Sequence, residues 1–384
     1  MIEIIGEYNK AFLTIDSAEE AVYKQTYEVL RCPAFSEGRI VLMPDCHPGK
    51  GAIVGFTMPI TKSVVPNCVG SDIGCGVKTV KLPNSIINLN FSELDAFIRK
   101  NIPYGRAHNI EIKKDWLHCS LYKDNIDKII DVAIKTNQNF NDVNRQLCSL
   151  GSGNHYHEID KDENNNFWLT THTGSRNFGL KIATLYQNKA KQNMKETFGA
   201  KAYRDLEFLS DDISVKEYLN DMAVAQIFAK INRNLILRVI CEKYFKIDLD
   251  ELESIESVHN YIDFNDNILR KGAISAHKEE RIIIPFNMAD GAAIATGLGN
   301  PEWNFSAPHG AGRIGSRTAA KATLSMETYK KSMEGIWTSC ISTATIDESK
   351  AAYKAKEFIV EAISPTAKIE KFIKPVYNFK AGEE

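Results

Sequence analysis

The chain of 384 residues is 43% hydrophobic and 25% charged, the balance of a folded globular protein and not of a disordered one. Its formal net charge of −2 excludes a globally basic nucleic-acid binder, so an RNA or DNA partner would have to be met by a local basic groove. No apolar run reaches the length of a membrane span, the start Met1-Ile-Glu-Ile-Ile shows no signal-peptide pattern, and eight cysteines without a CxxC pair exclude a disulfide scaffold or zinc ribbon.

A cytoplasmic protein with no membrane partner is therefore expected, with most cysteines packed as small hydrophobes. In the first 80 residues Arg39-Ile-Val-Leu-Met, Ala52-Ile-Val-Gly-Phe and Val77-Lys-Thr-Val-Lys predict short strands between Gly/Pro turns. Residues near 120 to 148 predict helix, and Phe167-Trp-Leu-Thr-Thr-His predicts a strand ending in a Gly-Ser turn. From Ser214 to Phe245 the apolar residues Met222, Val224, Ile227, Phe228, Ile231 and Leu235 fall at helical spacing. Strands and Gly-rich loops return in the last third. They are followed by a Ser/Thr-rich bend near 338 to 345, a helix near 348 to 363 and a strand-like tail, Lys374-Pro-Val-Tyr-Asn-Phe-Lys. Polar motifs are scattered end to end without a repeat or long linker. The expected fold is α/β (α+β): one intertwined domain over residues 1–384, with mixed sheets, surrounding helices and a central cleft.

Four histidines stand in Gly-rich or polar contexts: Asn154-His155, Thr171-His172-Thr-Gly-Ser-Arg, His259-Asn260 and Pro308-His309-Gly-Ala-Gly-Arg. Glycine-flanked loops are expected to expose imidazoles instead of packing them. Any one of them alone reads as a hydrogen-bonded structural histidine. Together with Ser71-Asp72-Ile-Gly-Cys75-Gly, where Asp72 and Cys75 can reach one centre, they point to a metal site. A thiolate can bridge two ions, and five such ligands suit a pair of open-shell metals holding phosphate. Ligand softness leaves manganese, zinc and cobalt open. His309-Gly310-Ala-Gly312-Arg-Ile-Gly315 matches GxGxxG, but the preceding Asn304-Phe-Ser-Ala-Pro-His does not read as a buried strand, so a dinucleotide fold is set aside. Gly174-Ser-Arg-Asn-Phe-Gly179 has P-loop glycine spacing without its GK[ST] ending, and no KxDG lysine-nucleophile motif occurs.

Taken in order, Asp72-Ile-Gly-Cys-Gly, Gly151-Ser-Gly-Asn-His, His172-Thr-Gly-Ser-Arg, Arg270-Lys-Gly-Ala, Gly297-Leu-Gly-Asn and His309-Gly-Ala-Gly-Arg resemble successive motifs of the RtcB family of RNA ligases. Met43-Pro-Asp-Cys-His-Pro-Gly-Lys-Gly and Asp347-Glu-Ser-Lys-Ala-Ala-Tyr-Lys match as well, so the similarity runs from about residue 39 to 382. The resemblance implies an enzyme that joins RNA 3′-phosphate or 2′,3′-cyclic phosphate ends to 5′-hydroxyl ends, using GTP and two manganese ions. It implies that Asp72, Cys75 and His155 hold one ion and that Cys75, His172 and His259 hold the other, with Cys75 bridging. His309 would attack the α-phosphorus of GTP, and Asn154 would help to neutralise the transferring phosphoryl group.

The nucleotide site so implied comprises Asn154, His155, Tyr156, Glu158, His259, Asn260, Pro285, Asn287, Met288, Ala292, His309, Gly310, Ala311, Gly312, Tyr353 and Lys380. Asn154, Tyr156 and Glu158 share one face if extended, Tyr156 and Tyr353 are candidates to stack the base, and Glu158 can accept from the guanine donors. Arg176, Lys271 and Arg317 match basic positions suited to RNA phosphates. Asp45 is assigned the orientation of His309, because a nucleophilic imidazole needs a fixed tautomer, and His47 a structural role. Partners would be RNA with broken ends, GTP and, where one is needed, an activating protein, with the chain a monomer or weak homo-oligomer.

The sequence departs from the family at the loop usually reading Pro-Gly-Ser-Met, here Pro285-Phe286-Asn287-Met288, and at Ala292, where a serine is expected. Phe286 is expected to add bulk beside the nucleotide, and His157 replaces a usually apolar residue. These changes suggest a divergent paralogue, suited to RNA repair as much as to tRNA splicing. The rival enzyme class is a dinuclear metal-dependent phosphodiesterase acting on RNA ends without nucleotidyl transfer. A non-catalytic RNA-binding module would not need both the five ligands and the nucleophile.

Overall fold

Two β-sheets carry the scattered motifs toward one cleft. The structure, a computed structural model, describes residues 1–86, 88–113, 116, 119–199 and 203–381. The larger sheet orders Arg281–Asn287, Gly291–Gly297, Ala367–Lys380, Tyr156–Asp162, Phe167–Thr173, Gly76–Lys81 and Ser254–Val258, each pair antiparallel. The short strand Trp337–Thr338 joins Ala367–Lys380 in parallel. The sheet curls until its two edge strands meet, where the Ile283 N–H donates to Ser257 Oγ at 3.0 Å. Curling hides the unpaired edges and leaves an apolar interior of Val77, Trp168, Ile255, Ile283, Ala292, Ile294 and Ile373.

The second sheet orders Ile2–Ile5, Lys10–Leu13, Ile40–His47, Val54–Pro59, Ile268–Lys271 and Asn260–Asp263. Its parallel pair, Lys10–Leu13 with Ile40–His47, is connected through the helix Glu20–Leu30, as a parallel crossover requires. A small ladder pairs Ala273–Ser275 with Ser306–Pro308.

Helices Arg176–Phe198 and Asp212–Arg238 pack side by side, with ring centroids 4.8 Å apart for Phe178 and Phe228 and 5.1 Å for Tyr186 and Tyr218. The second is the helix expected from Ser214. Asp211 caps it by accepting from the Ser214 N–H, and it runs into a wider turn at Val239–Phe245. The first is absent from the predicted elements. Its buried residues include Gly179, Ala183 and Ala190, whose small side chains make a faint apolar stripe. The helix expected near 120 to 148 is three, Ser120–Lys123, Ile126–Lys135 and Phe140–Arg145. Asn137 adopts a left-handed conformation and Asn139 caps the last of them. Of the helix expected near 348 to 363, the α-helical part starts only at Lys356; before it stand two 3-10 turns, Thr343–Glu348 and Lys350–Ala352, and the backbone bridge of Tyr353 to Arg313 separates them from it. Ser306–Pro308 also corrects the sequence reading, being a short buried strand. The dinucleotide reading still fails, since the next helix begins only at Arg317, beyond the glycines. All eight cysteines are free and buried, and no helix among the described residues is long and apolar enough to cross a membrane.

The long helix also ties the sheet to the site. Arg233, with its side chain 1% exposed, donates to the carbonyls of Gly74 (2.7 Å) and Thr173 (2.9 Å) and pairs with Glu256 at 2.7 Å. Arg233→Ala leaves two carbonyls and a carboxylate without their donor. It should cost roughly 3–5 kcal/mol in chemical denaturation; a loss within about 1 kcal/mol would show the network to be dispensable.

Candidate metal and nucleotide site

Register decides what meets Cys75, which immediately precedes the strand Gly76–Lys81. Gly76 pairs with Thr173 on one side and Val258 on the other, so His172 and His259 arrive at the same end of the sheet as the thiol. Tyr156 pairs with His172, which brings His155 alongside. Cys75 Sγ is 3.3 Å from Nε2 of both His155 and His172. His172 Nε2 lies 2.9 Å from His259 Nε2, and His155 Nε2 lies 2.9 Å from Asp72 Oδ2. Donor atoms thus form two groups, Cys75–His172–His259 and Asp72–Cys75–His155, each within 4.8 Å and sharing Cys75. The three imidazoles are buried at strand ends, a correction to the expectation that glycine loops expose them.

The hydrogen bonds behind these rings fix their chemistry. His155 Nδ1 donates to the Leu150 carbonyl at 2.9 Å and His172 Nδ1 to the Asn154 carbonyl at 3.1 Å, which leaves each Nε2 as a lone pair. Arg176 Nη1 stands 3.1 Å from His155 Nδ1. A nitrogen already donating to Leu150 cannot accept from it, so Arg176 contributes charge there and no hydrogen bond. The His155 lone pair therefore faces the Asp72 carboxylate as acceptor against acceptor, an arrangement that a cation reconciles and neutral side chains alone do not. Burial and then the Asp72 charge push the Cys75 thiol well above its ordinary range, which a bound divalent ion would reverse by holding the thiolate. For Asp72 burial opposes ionisation, but the carboxyl is held below its ordinary range, and with His155 neutral the charge that favours the carboxylate is that of Arg176. Its side chain stays 32% exposed at the cleft. The donor set fits a pair of transition ions.

Close backbone approach explains two glycines. A Cβ on Gly174 would lie 2.2 Å from Asp72 Oδ1, which accepts from the Ser175 N–H at 3.2 Å. Gly312, at φ +73°, would place a Cβ 2.2 Å from the Asp45 carbonyl.

His309 follows the strand Ser306–Pro308, and its ring centroid is 4.8 Å from that of His259. Its Nδ1 lies 2.6 Å from Asp45 Oδ2, which also accepts the His309 backbone N–H at 3.1 Å. Asp45 is fully buried on Ile40–His47. The carboxylate holds the ring proton on Nδ1 and leaves Nε2 with its lone pair. Lys354 Nζ donates to the carbonyls of Pro44 at 3.1 Å and Cys46 at 2.8 Å, pinning the chain on both sides of Asp45. His47 Nδ1 donates to the Asp45 carbonyl at 2.9 Å, and burial pushes its pKa down to about 4.

A cleft of 880 Å³ opens over these groups. Asn154, Tyr156 and Glu158 form one wall; Pro285, Asn287, Met288 and His309 to Gly312 form the other; Asn260, Lys271, Tyr353 and Lys380 also line it. Ala292 is a correction: it is 2% exposed and packs inside the curled sheet. Phe286 directs most of its bulk into a core, 6.4 Å from the Phe372 ring, instead of filling the cleft. Asn287 closes its own loop, accepting from the N–H groups of Ala289 and Asp290 at 3.0 and 2.9 Å. His157 stacks on Phe379 at 6.0 Å and meets Thr171 Oγ1 at 3.1 Å, the packing role.

Glu348 organises the far end of the cleft, and the sequence reading assigned it no role. It accepts from Lys380 Nζ at 2.7 Å, Tyr353 OH at 2.6 Å, Arg317 at 2.7 Å, and Arg313. Burial opposes its ionisation, but Lys380, Arg313 and Arg317 outweigh burial and bring its pKa to about 2. Arg313 also lies over one face of the Tyr353 ring, 4.8 Å from its centroid. Asn232, on the long helix, similarly escapes sequence reasoning. It donates to the carbonyls of Ser149 and Gly174 and accepts the Ser149 N–H, bracing the segments before His155 and after His172. The signal available is its place among the apolar positions of an otherwise buried helix face.

The three basic residues assigned to RNA occupy different settings. Lys271 is buried with Nζ on the carbonyls of Asn67, at 3.0 Å, and Lys50, and burial pushes its pKa down to about 8. Arg176 backs His155, and Arg317 pairs with Asp347 and Glu348.

A family profile described as "tRNA-splicing ligase RtcB" matches residues 25–381. The chain is 32% identical to the RNA-splicing ligase RtcB1 of Escherichia coli over 361 residues, 86% of this chain and 87% of the relative. It is 28% identical to the tRNA-splicing ligase RtcB of Nanoarchaeum equitans, covering 84% and 83% of the two chains. The profile match takes in every segment that converges on Cys75 and His309, and this chain belongs to the RtcB family.

Proposed function

We propose that this chain is an RNA ligase, one catalytic unit over residues 1–384, that seals RNA 3′-phosphate or 2′,3′-cyclic phosphate ends to 5′-hydroxyl ends through GMP carried on His309. The observation that carries this reading is the Asp45–His309 contact of 2.6 Å beside the Cys75 cluster. It holds the ring proton on Nδ1 and keeps Nε2 nucleophilic without a separate base. His309 Nε2 would form a bond to the α-phosphorus of GTP as the bond to pyrophosphate breaks. A 3′-phosphate oxygen of the RNA then takes the GMP and frees the imidazole. Attack of the 5′-hydroxyl on the activated 3′-phosphorus expels GMP and closes the strand. A cyclic phosphate end would first be hydrolysed to the 3′-phosphate.

Two manganese ions, held by Asp72–Cys75–His155 and by Cys75–His172–His259, would supply Lewis-acid stabilisation of phosphoryl charge. Asn154 would add a donor to the same oxygens. Tyr156 and Tyr353 would bracket the base, with Glu158 reading its edge and Lys380 beside it. The relatives' names support ligation of RNA. The phosphodiesterase alternative uses the same ions but leaves the pocket beyond Tyr156 without an occupant.

Incubation with α-labelled GTP and manganese should place acid-labile label on the protein, and His309→Ala should abolish it. Absence of label alongside turnover of cyclic phosphate ends would favour the hydrolase. Metal analysis should find two ions per chain, close to none in Cys75→Ala and about one in His259→Ala, since only Cys75 belongs to both groups. Equal losses in the two variants would argue against a bridging thiolate. Asp45→Asn should slow guanylylation on the order of 10²–10⁴-fold while leaving metal content intact; an unchanged rate would remove Asp45 from the mechanism.

A further inference from the structure

Beneath Glu158 lies a second buried carboxyl that the ligase reading does not use. On the strand Tyr156–Asp162 side chains alternate, so Tyr156, Glu158 and Asp160 share one face and descend from the cleft wall into the sheet. Glu158 is 4% exposed and Asp160 is 0% exposed. The two carboxyls are in hydrogen-bonding contact, which two carboxylates cannot make without a proton between them. Their other partners are few. Glu158 Oε2 accepts from Asn378 Nδ2 at 2.6 Å, and Asp160 Oδ2 accepts from Thr170 Oγ1 at 3.0 Å. Asp160 Oδ1 has no donor among the described residues.

Among the described residues no cation pairs directly with either carboxyl, and Lys380 acts on Glu158 only through its charge. On the adjoining tail strand Lys380 is committed to Glu348, which Arg313, Arg317 and the Tyr353 hydroxyl also engage. The strand on the other side offers Thr170 opposite Glu158, and His172 opposite Tyr156 faces the metal cluster. Further along their own strand Asp162 is occupied by Trp168 and Asn166, with Lys371 at 3.7 Å. Burial, and for Glu158 also the neighbouring Asp160 charge, raises both carboxyls; Asp160 reaches about 6.

We propose that Asp160 is a positioning and specificity residue which, by sharing a single proton with Glu158, sets the hydrogen-bonding face that Glu158 shows to the nucleobase. This role rests on the proposed GTP site. With the proton on Glu158 its hydroxyl is spent on Asp160, and only the carbonyl oxygen of the acid is left as a good acceptor. Guanine offers two adjacent donors, N1–H and the 2-amino group, and needs an ionised Glu158. Binding guanine therefore moves the proton from Glu158 to Asp160, which then donates back to Glu158; no proton enters or leaves the pair. When the pH falls far enough to protonate both carboxyls, Asp160 can no longer take that proton, and guanine must displace it to solvent. Guanine affinity is thus full above the point where Asp160 gains its proton and is lost below it.

Asp160→Asn keeps an amide donor toward Glu158 and removes the second titrating site. GTP affinity of the manganese-loaded wild type and Asp160→Asn, measured by calorimetry between about pH 5 and pH 8, tests the role. Titration of the nucleotide phosphates and of the metal ligands is common to both proteins and cancels in their ratio. The expected result is a wild-type affinity falling up to tenfold per pH unit below about pH 6, relative to a flatter Asp160→Asn profile. GTP binding with the same pH profile in both proteins overturns the role of Asp160 alone. No GTP binding by either protein at any pH overturns the GTP site itself and this role with it. Should Asp160→Asn fail to fold, infrared spectroscopy of the wild type decides. A protonated-carboxyl C=O band near neutral pH that shifts on adding GTP supports the shared proton, and no such band overturns it.

Discussion

Cys75 Sγ stands 3.3 Å from two imidazole nitrogens whose ring protons are held elsewhere by the carbonyls of Leu150 and Asn154. Both of these nitrogens face inward as acceptors, and the surrounding fold keeps them so. Arg233 and Asn232 hold the backbone of the ligand-bearing segments, Gly174 lets Asp72 approach, and the antiparallel registers bring four chain segments to one corner. Such a cluster is costly in isolation and favourable around a divalent cation. The structure around it can be understood as scaffolding for that requirement.

The second organising contact is the buried Asp45 carboxylate on His309. Asp45 lies on the six-stranded sheet, His309 follows the small ladder, and the metal cluster gathers at one end of the larger sheet, with His259 leading into the six-stranded one. Lys354 clamps the Asp45 segment, and the chain bearing it continues toward Glu348 and Tyr353 through the Arg313–Tyr353 bridge. Local charge at the far end of the cleft is strong although the whole chain is nearly neutral. Glu348 alone gathers Lys380, Arg313 and Arg317. A basic patch inferred from isolated arginines and lysines therefore differs from the one built here, because most of these cations already have partners inside the protein.

Much of the site is legible in the sequence because its ligands occupy short Gly-rich motifs, where spacing and residue type restrict the chemistry. The same holds for His309 and for Tyr156 and Glu158, whose alternation survives as a strand, while Asn154 stands in the turn before it. Residues that act through others leave a fainter trace. Asn232 and Arg233 look like ordinary helix residues, and Glu348 sits in a motif whose cationic partners lie more than 30 residues away on both sides. Ala292 and Phe286 carry the opposite lesson. Their motif position points to the ligand, whereas packing turns them inward, since strand parity and available volume decide which way a side chain faces. Helix Arg176–Phe198 is missed for a related reason: small residues bury well but give little periodic signal.

By itself the sequence determines which atoms are available: one thiolate, three imidazoles and a carboxylate for metal, and a fourth imidazole in a glycine-rich turn. It also sets the helix from Asp212, through apolar spacing, and the family resemblance, through the order of motifs. Only the tertiary structure decides that Cys75 is shared between two donor groups, that Asp45 reaches His309, and that the carboxyls of Glu158 and Asp160 are both buried. These are relations between atoms brought together by strand register and sheet curvature. Registers depend on which side chains pack on the same face across distant strands, so such contacts cannot be read from spacing along the chain.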